Sequence, residues 1–378
     1  MPKEKLTICF FGNARSIHMI KWAKFFAEKK HIVHLISYDY PRKEEDIKGI
    51  NLHILKKIVP ITIWPFNTLF NLPFNIIRVR RLIKKIKPDI INAHYVTSYG
   101  HLATFTSFHP LVITAWGSDI LITPKEYFLA RMVVKYVLKK ADVITCDAEH
   151  MKEEMIKLGA DPKKIKIINF GVDTKKFTPP ESKELLKSKT EFKNSIVVIS
   201  LRSLEPVYNI ETLISAVPIV AKKVPEIKFV IAGEGSEEKK LKELAKRLNV
   251  SEKVKFVGNL SQNEVAKYLA ISDIYVSTSL SDAGIASSTA EAMASGLSVI
   301  VTESGANKDW IKQGENGFLI PVRDVKSLAE KIIFLAQNNA IREKLGKNAR
   351  KTILERNDYY NEMEKMERIY YEKIIKSD

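Results

Sequence analysis

The chain reads as an α/β protein built from two successive parallel-sheet domains. Short apolar runs of strand length alternate with segments of helical period along most of its 378 residues. The alternation breaks at Asn169 to Pro180 (NFGVDTKKFTPP), where turn residues cluster, and then a second series begins. A chain of this length also suits two domains, each large enough for its own core. The expected boundaries are 1–175 for the first domain and 176–358 for the second, with 359–378 as a helix returning to the first.

In the first series, Leu6 to Phe11 is an apolar run ending at Gly12. Ser16 to Lys29 follows with Ile17, Ile20, Trp22, Ala23 and Phe26 at helical spacing, and His31 to Ile36 is a second strand. Strand, helix and strand within so short a stretch form a βαβ unit, which requires a parallel sheet. Asp89 to Ala93, Leu111 to Thr114 and Ala141 to Thr145 extend that sheet. The second series places strands at Ser195 to Ser200, Ile227 to Ala232, Val254 to Val257 and Ile274 to Thr278. Helices are expected at Ile210 to Val220, Glu237 to Leu248 and Glu264 to Ala270. The stretch Ser277 to Thr302 then reads as a strand end, a glycine-bearing loop, a small-residue helix from Ser288 to Ser295, a Gly296 stop and a buried strand. The tail, Lys326 to Lys376, is helical with a break near Asn357. No repeat of solenoid period is present.

Composition narrows the function classes. Two cysteines, Cys9 and Cys146, each lie inside an apolar run, which supplies neither a disulfide framework nor metal-ligand spacing and fits a reducing cytosol. Leu6 to Gly12 is too short for the apolar core of a signal peptide, and no run approaches a membrane span. The formal net charge of +17 admits a phosphorylated substrate, an anionic lipid surface or nucleic acid. Richness in Lys, Ile and Glu also resembles hyperthermophile composition, which would account for part of the charged surface with no partner at all. An insertion at Ile61 to Lys87 sets Trp64, Phe66, Leu69, Phe70, Leu72 and Phe74 before a basic helix carrying Arg78, Arg80, Arg81, Lys84, Lys85 and Lys87. Two readings stand: a core helix with a solvated basic face, or a contact with an anionic membrane. No recognition motif for nucleic acid accompanies the charge, so no nucleic-acid partner is expected.

Three spots in the second series lie at strand ends. Arg202 follows VVIS and can hold a phosphate through two N–H groups with a charge that does not titrate away. Gly233 and Gly235 in AGEG permit close backbone approach, but their spacing is not that of a dinucleotide fingerprint. The loop Ser281 to Ser288 opens a helix whose free N–H groups favour an anion, and Glu291 one turn in can accept the two hydroxyls of a ribose. Each alone is also an ordinary surface arginine, turn glycine or helix-start glutamate. In a parallel sheet these strand ends share one edge, so together they can hold a nucleoside diphosphate.

The motifs SLRSLEPVYNIETLISA, IAGEGS, FVGNLSQNEVAKYLAISDIYVSTS, AGIASSTAEAMASGLSVIVT and GENGFLIPVRD occur in one order over the second half, after the linker INFGVDTKKFTP. In this the chain resembles the family-4-type retaining glycosyltransferases (glycosyl transferases group 1), of GT-B fold, with two facing Rossmann-like domains. The first half is similar more loosely, through GNARSIHMIKWAKFF, INAHYVTSYGHLA and ITAWGSD. The resemblance implies that Glu291 binds the donor ribose and that Arg202 holds the donor β-phosphate and stabilises the leaving diphosphate. Gly233 and the backbone of Gly284, Ile285, Ala286 and Ser287 would cradle the sugar and pyrophosphate. His18, His94 and Asp119 would face the sugar or acceptor. Three departures stand out. Ala283 replaces the first glutamate of the E-x7-E pair, with Asp282 beside it as the substitute carboxylate. Tyr208 and Asn209 fall where a phosphate-binding lysine is usual. Trp116 replaces the histidine of a T-x-H-G turn.

The resemblance therefore implies transfer of a sugar from a UDP- or GDP-type nucleotide-sugar, with retention, no metal and no other cofactor. The acceptor would be a glycan or lipid-linked glycan, and the enzyme cytoplasmic, docked on the inner membrane face through Ile61 to Lys87. An inactive partner protein of the same fold, a sugar-nucleotide epimerase and a Rossmann oxidoreductase are the alternatives at this stage.

Overall fold

A computed structural model describes residues 4–55, 66–282 and 284–375, and of 66–73 the backbone. The chain forms two compact units, Met1–Phe170 with Asn361–Asp378, and Gly171–Tyr360. Unit 1 thus ends at Phe170 rather than at 175. After it, the Val172 N–H donates to the Asn357 carbonyl and the Tyr359 N–H donates to the Val172 carbonyl, so the chain's entry into unit 2 is paired with its exit.

Unit 1 holds a seven-stranded sheet. Its strands are β1 Thr7–Phe11, β2 Ile32–Ser37, β3 Ile50–Ile54, β4 Ile90–His94, β5 Leu111–Thr114, β6 Val143–Cys146 and β7 Ile165–Ile167. They lie in the order β3-β2-β1-β4-β5-β6-β7, and every pairing is parallel. Buried on both faces, the central strands read as unbroken apolar runs: Ile8 to Phe11 are all fully buried. Strands β3 and β7 were not expected. They lie at the sheet edges, where half-exposed residues blur the apolar pattern.

Unit 2 holds a six-stranded sheet. Its strands are β8 Ile196–Ser200, β9 Ile227–Ala232, β10 Val254–Gly258, β11 Ile274–Ser277, β12 Ser298–Thr302 and β13 Phe318–Ile320. The order is β10-β9-β8-β11-β12-β13, again parallel throughout. A chain that winds outward from β8 in one direction and then returns to start at β11 in the other leaves a crevice beyond the ends of β8 and β11, where open α/β sheets bind ligands. In unit 1 the same reversal falls between β1 and β4.

The helix expected within Ile61 to Lys87 runs over Phe66–Ile86, so it takes in much of the aromatic stretch instead of following it. Residues 61–65 lie outside the described residues. The last helix, Tyr359–Ile375, packs its unit 1 portion near the sheet. The Tyr370 ring stacks on Phe26 at 5.1 Å and its hydroxyl donates to Asn92 Oδ1 at 2.7 Å. Glu367 accepts from Lys29 at 2.6 Å and meets His31 Nε2 at 2.9 Å.

Candidate active site

The crevice of unit 2 gathers the residues expected there. Arg202 sits just beyond β8, and the loop after β11 leads into the Ser287–Ala294 helix. The N-cap of that helix is Ala286, whose side chain cannot cap it, and no acidic residue lies in its first turn. Its leading N–H groups are therefore left for an anion. Gly284, Ile285 and Ala286 are half-buried and Ser287 is exposed, which keeps this backbone reachable from solvent. Glu291 is half-buried and, three and four residues after Ser288 and Ser287, shares their helix face.

Arg202 is held from three sides. Its Nη2 donates to Asp282 Oδ1 at 2.5 Å, with only 10% and 7% of the two side chains exposed. Its Nη1 makes a long contact of 3.5 Å to Ser288 Oγ, which also meets the Tyr275 hydroxyl at 2.8 Å. The Tyr208 ring covers the guanidinium face at 4.3 Å. Burial raises the Asp282 carboxyl above the ordinary aspartate value, and the Arg202 charge opposes the rise. Asn307 and Ser279 stand close enough to favour its ionised form, yet neither meets Oδ2 in hydrogen-bond geometry.

Tyr208 is the site residue whose role the sequence does not reveal. It falls at the position of a missing lysine, and the structure shows what it supplies instead: an aromatic face that orients the arginine through cation–π contact. Asn209 takes up the left-handed backbone that starts the next helix, φ 50° and ψ 45°. Its Nδ2 donates to Thr212 Oγ1 at 2.8 Å and to the Thr278 carbonyl at 3.3 Å, tying the arginine loop to the end of β11.

Two glycines shape the crevice from behind. A Cβ on Gly233 would fall 2.4 Å from the Arg202 carbonyl, and its φ is +141°. Its role in the structure is thus to let the AGEG turn press on the backbone that carries Arg202. A Cβ on Gly305 would fall 1.6 Å from the Asp282 carbonyl, so only glycine allows β12's following loop to brace Asp282. Ala283, where the first glutamate of the pair was expected, lies outside the described residues.

Unit 1 has a cavity of about 310 Å³ at its own strand reversal, lined by Asn13, Ser16, His94, Tyr95, Ser98 and Trp116 among others. His18 is half-buried beside it, 5.9 Å from the Trp116 ring and 5.0 Å from Phe170, and burial with the Lys21 charge lowers its pKa. His94 and Asp119, expected to face the acceptor, lie deeper than that. His94 is 2% exposed, and its Nδ1 accepts from the Trp116 indole at 3.2 Å. The proton therefore sits on Nε2, which faces Asn92 Oδ1 at 3.3 Å. Burial first, and His18 second, push its pKa down to about 3, so the ring stays neutral. Asp119 is fully buried and accepts from the backbone N–H of Val96 at 2.7 Å and of Trp116 and Gly117 at 3.0 Å. His94 holds the Trp116 indole, and Asp119 ties the Trp116–Gly117 turn to the turn after β4. His94 lines the cavity with Asn13, Ser16, Tyr95 and Ser98, whereas Asp119 does not, and the Tyr95 hydroxyl lies 2.9 Å from Ser118 Oγ.

The family comparisons agree with this architecture. The model of the glycosyl transferases group 1 family matches residues 181–352, and that of the glycosyl transferase 4-like family matches residues 7–148. The N-acetyl-alpha-D-glucosaminyl L-malate synthase of Bacillus anthracis is 22% identical over 94% of this chain and 92% of its own. A component of the human phosphatidylinositol N-acetylglucosaminyltransferase is 23% identical over 85% of this chain and 65% of its own. Among solved structures, Anabaena HepE in complex with UDP superimposes with a TM-score of 0.80 at 18% identity, over 96% of this chain and 99% of that one. The same protein has been solved with UDP-glucose. With one family model on each sheet domain and glycosyltransferases as its relatives over nearly the whole length, this chain belongs to the group 1 glycosyltransferases and has their GT-B fold.

Proposed function

We propose that the protein transfers a sugar from a UDP- or GDP-sugar, with retention of configuration and without a metal, to a glycan or lipid-linked acceptor. The observation that carries this reading is the arrangement at β8 and β11: a buried guanidinium, an uncapped helix N-terminus and a carboxylate one turn in, all at one strand reversal. Arg202 and the helix N–H groups would hold the diphosphate as it departs, where a fixed positive potential stabilises developing charge. Glu291 would accept the ribose hydroxyls. The UDP complexes of Anabaena HepE support a uridine donor. Retention and metal independence are taken from the family pattern, with Arg202 as the cation at the leaving group. The acceptor would be bound at the unit 1 cavity, whose hydroxyl, amide and aromatic lining suits a sugar.

The test is equilibrium binding of UDP and GDP, followed by turnover of the matching sugar nucleotides. Glu291→Gln is expected to weaken nucleotide binding and lower kcat/KM about a hundredfold, since a charge-assisted pair to two hydroxyls contributes ~3 kcal/mol. Wild-type activity in that variant, or no nucleotide binding by the wild type, overturns the reading.

Membrane docking belongs to the same proposal, and the structure offers a further surface for it. No helix among the described residues is long and apolar enough to cross a membrane. The Phe128–Lys140 helix buries Ala130, Val134, Val137 and Leu138 but also exposes Phe128 (75%), Leu129 and Met132, with Arg131 and Lys135 beside them. Tyr136 of this helix stacks on Phe105 at 5.7 Å, and the Phe105 carbonyl accepts from Arg80 at 3.0 Å. The face thereby continues to Phe74 and Ile77, also exposed, on the Phe66–Ile86 helix. Apolar side chains set among cations suit an anionic bilayer surface. Self-association would bring the same cations face to face. Co-sedimentation should show binding to phosphatidylglycerol vesicles and none to phosphatidylcholine, reduced at least tenfold in Phe128→Ser/Met132→Ser. Equal binding by that variant would remove this face from the proposal.

A further inference from the structure

We propose that Asp282 is a built-in counter-anion: it occupies the phosphate-binding edge of Arg202 and is displaced by the donor's diphosphate, so that it sets donor affinity. The inference rests on the donor reading above and adds a competitor to it. The two side chains are nine-tenths buried, yet they meet through one N–H···O contact where an arginine and a carboxylate can form two. Arg202 Nε and Asp282 Oδ2 are each buried with no hydrogen-bond partner among the described residues. A buried ion pair stabilises little unless its remaining donors and acceptors are satisfied, and this one leaves one of each open.

Guanidinium N–H groups point outward in the plane of the group, so a phosphate that hydrogen-bonds to Arg202 must do so at its edge. Tyr208 lies over the guanidinium, with Cζ 4.3 Å from the ring centroid, and Asp282 already stands at the edge. The same edge borders the Ser287–Ala294 helix, through Ser288 at 3.5 Å, where the helix dipole adds positive potential with no capping side chain to offset it. One carboxylate oxygen is a poor match for that field. A diphosphate brings more charge and enough oxygens to reach Nε, Nη1 and the helix N–H groups together. Gly305 packs against the Asp282 carbonyl too closely for any side chain, so the backbone of Asp282 is braced. Displacement is then a rotation of the carboxylate and requires no movement of the loop.

The experiment is titration of the full chain with UDP and with inorganic pyrophosphate at fixed pH and salt, comparing wild type, Asp282→Asn and Asp282→Glu. Asparagine keeps an oxygen for Arg202 Nη2 and removes the charge, so binding of both ligands is expected to tighten at least tenfold. Glutamate keeps a competing charge, so Asp282→Glu should bind no more tightly than wild type. Unchanged or weaker binding by Asp282→Asn overturns the proposal, as does equal tightening by both variants. Tightening for pyrophosphate, with no nucleoside diphosphate bound by any of the three proteins, would keep the competition and remove the donor reading. UDP binding by the wild type with no gain in Asp282→Asn would do the reverse.

Discussion

Arg202→Ala is expected to abolish turnover and to destabilise unit 2, and a second substitution should separate the two effects. Removing the guanidinium takes the main cation from the leaving diphosphate, which should lower kcat/KM about a thousandfold. It also leaves Asp282 buried without its counter-charge. Breaking a buried pair from one side costs about 3–5 kcal/mol, or a melting point lower by about 10 °C in a domain of this size. The raised pKa of Asp282 sets the pH sign. Without Arg202 opposing it, burial drives that pKa higher still, so the variant's stability deficit shrinks as pH falls and the carboxyl takes up a proton. Adding Asp282→Asn to Arg202→Ala removes the uncompensated charge and should restore most of the lost stability while restoring none of the activity. Thermal unfolding of the four proteins of this cycle, with nucleotide-sugar turnover in parallel, checks both halves. If the double variant melts as low as Arg202→Ala, the pair is not what the arginine was supporting.

What could be read from the sequence follows from the range of the interactions involved. The alternation of strands and helices is local, and so is the placement of Arg202 after β8 and of Glu291 one turn into a helix. These were legible, and the parallel sheet that follows from βαβ connections brought them to one edge. The pairing of Arg202 with Asp282 joins residues far apart in sequence, and no local pattern marks it. Tyr208 occupies a recognisable position, but its meaning depends on where its ring points. β7 and β13 span only Ile165–Ile167 and Phe318–Ile320, too short to establish an alternation. The exposed face of the Phe128–Lys140 helix was hidden for a different reason. The apolar residues of this helix are spread around it among Arg131 and Lys135, so residue type does not say which of them are buried, and only the fold shows that Phe128 and Met132 face solvent. Histidine and aspartate suggested contact with ligand at His94 and Asp119, since those residue types carry chemistry. The hydrogen bonds they make, His94 to the Trp116 indole and Asp119 to the backbone of Val96, Trp116 and Gly117, show a positioning task that residue type does not announce.

That task makes Asp119 the site of the second large effect. Asp119→Ala should destabilise unit 1 by about 4 kcal/mol, because it strands the N–H groups of Val96, Trp116 and Gly117, each costing about 1–3 kcal/mol when buried without an acceptor. Gly117 sits at φ 121° and ψ −76°, a conformation held by this cluster of bonds. Its release would free Trp116, whose indole fixes the His94 tautomer and lines the cavity. Asp119→Asn keeps one oxygen but turns an NH2 group toward a backbone donor, so it should lose roughly half as much. Chemical denaturation followed by tryptophan fluorescence reads these changes. UDP affinity, measured where the variants remain folded, should be unaltered, because the groups assigned to the donor all belong to unit 2. A residue that touched the acceptor would behave otherwise: Asp119→Asn would melt like the wild type and lose turnover at saturating donor. That pattern would return Asp119 from positioning Trp116 to direct contact with substrate.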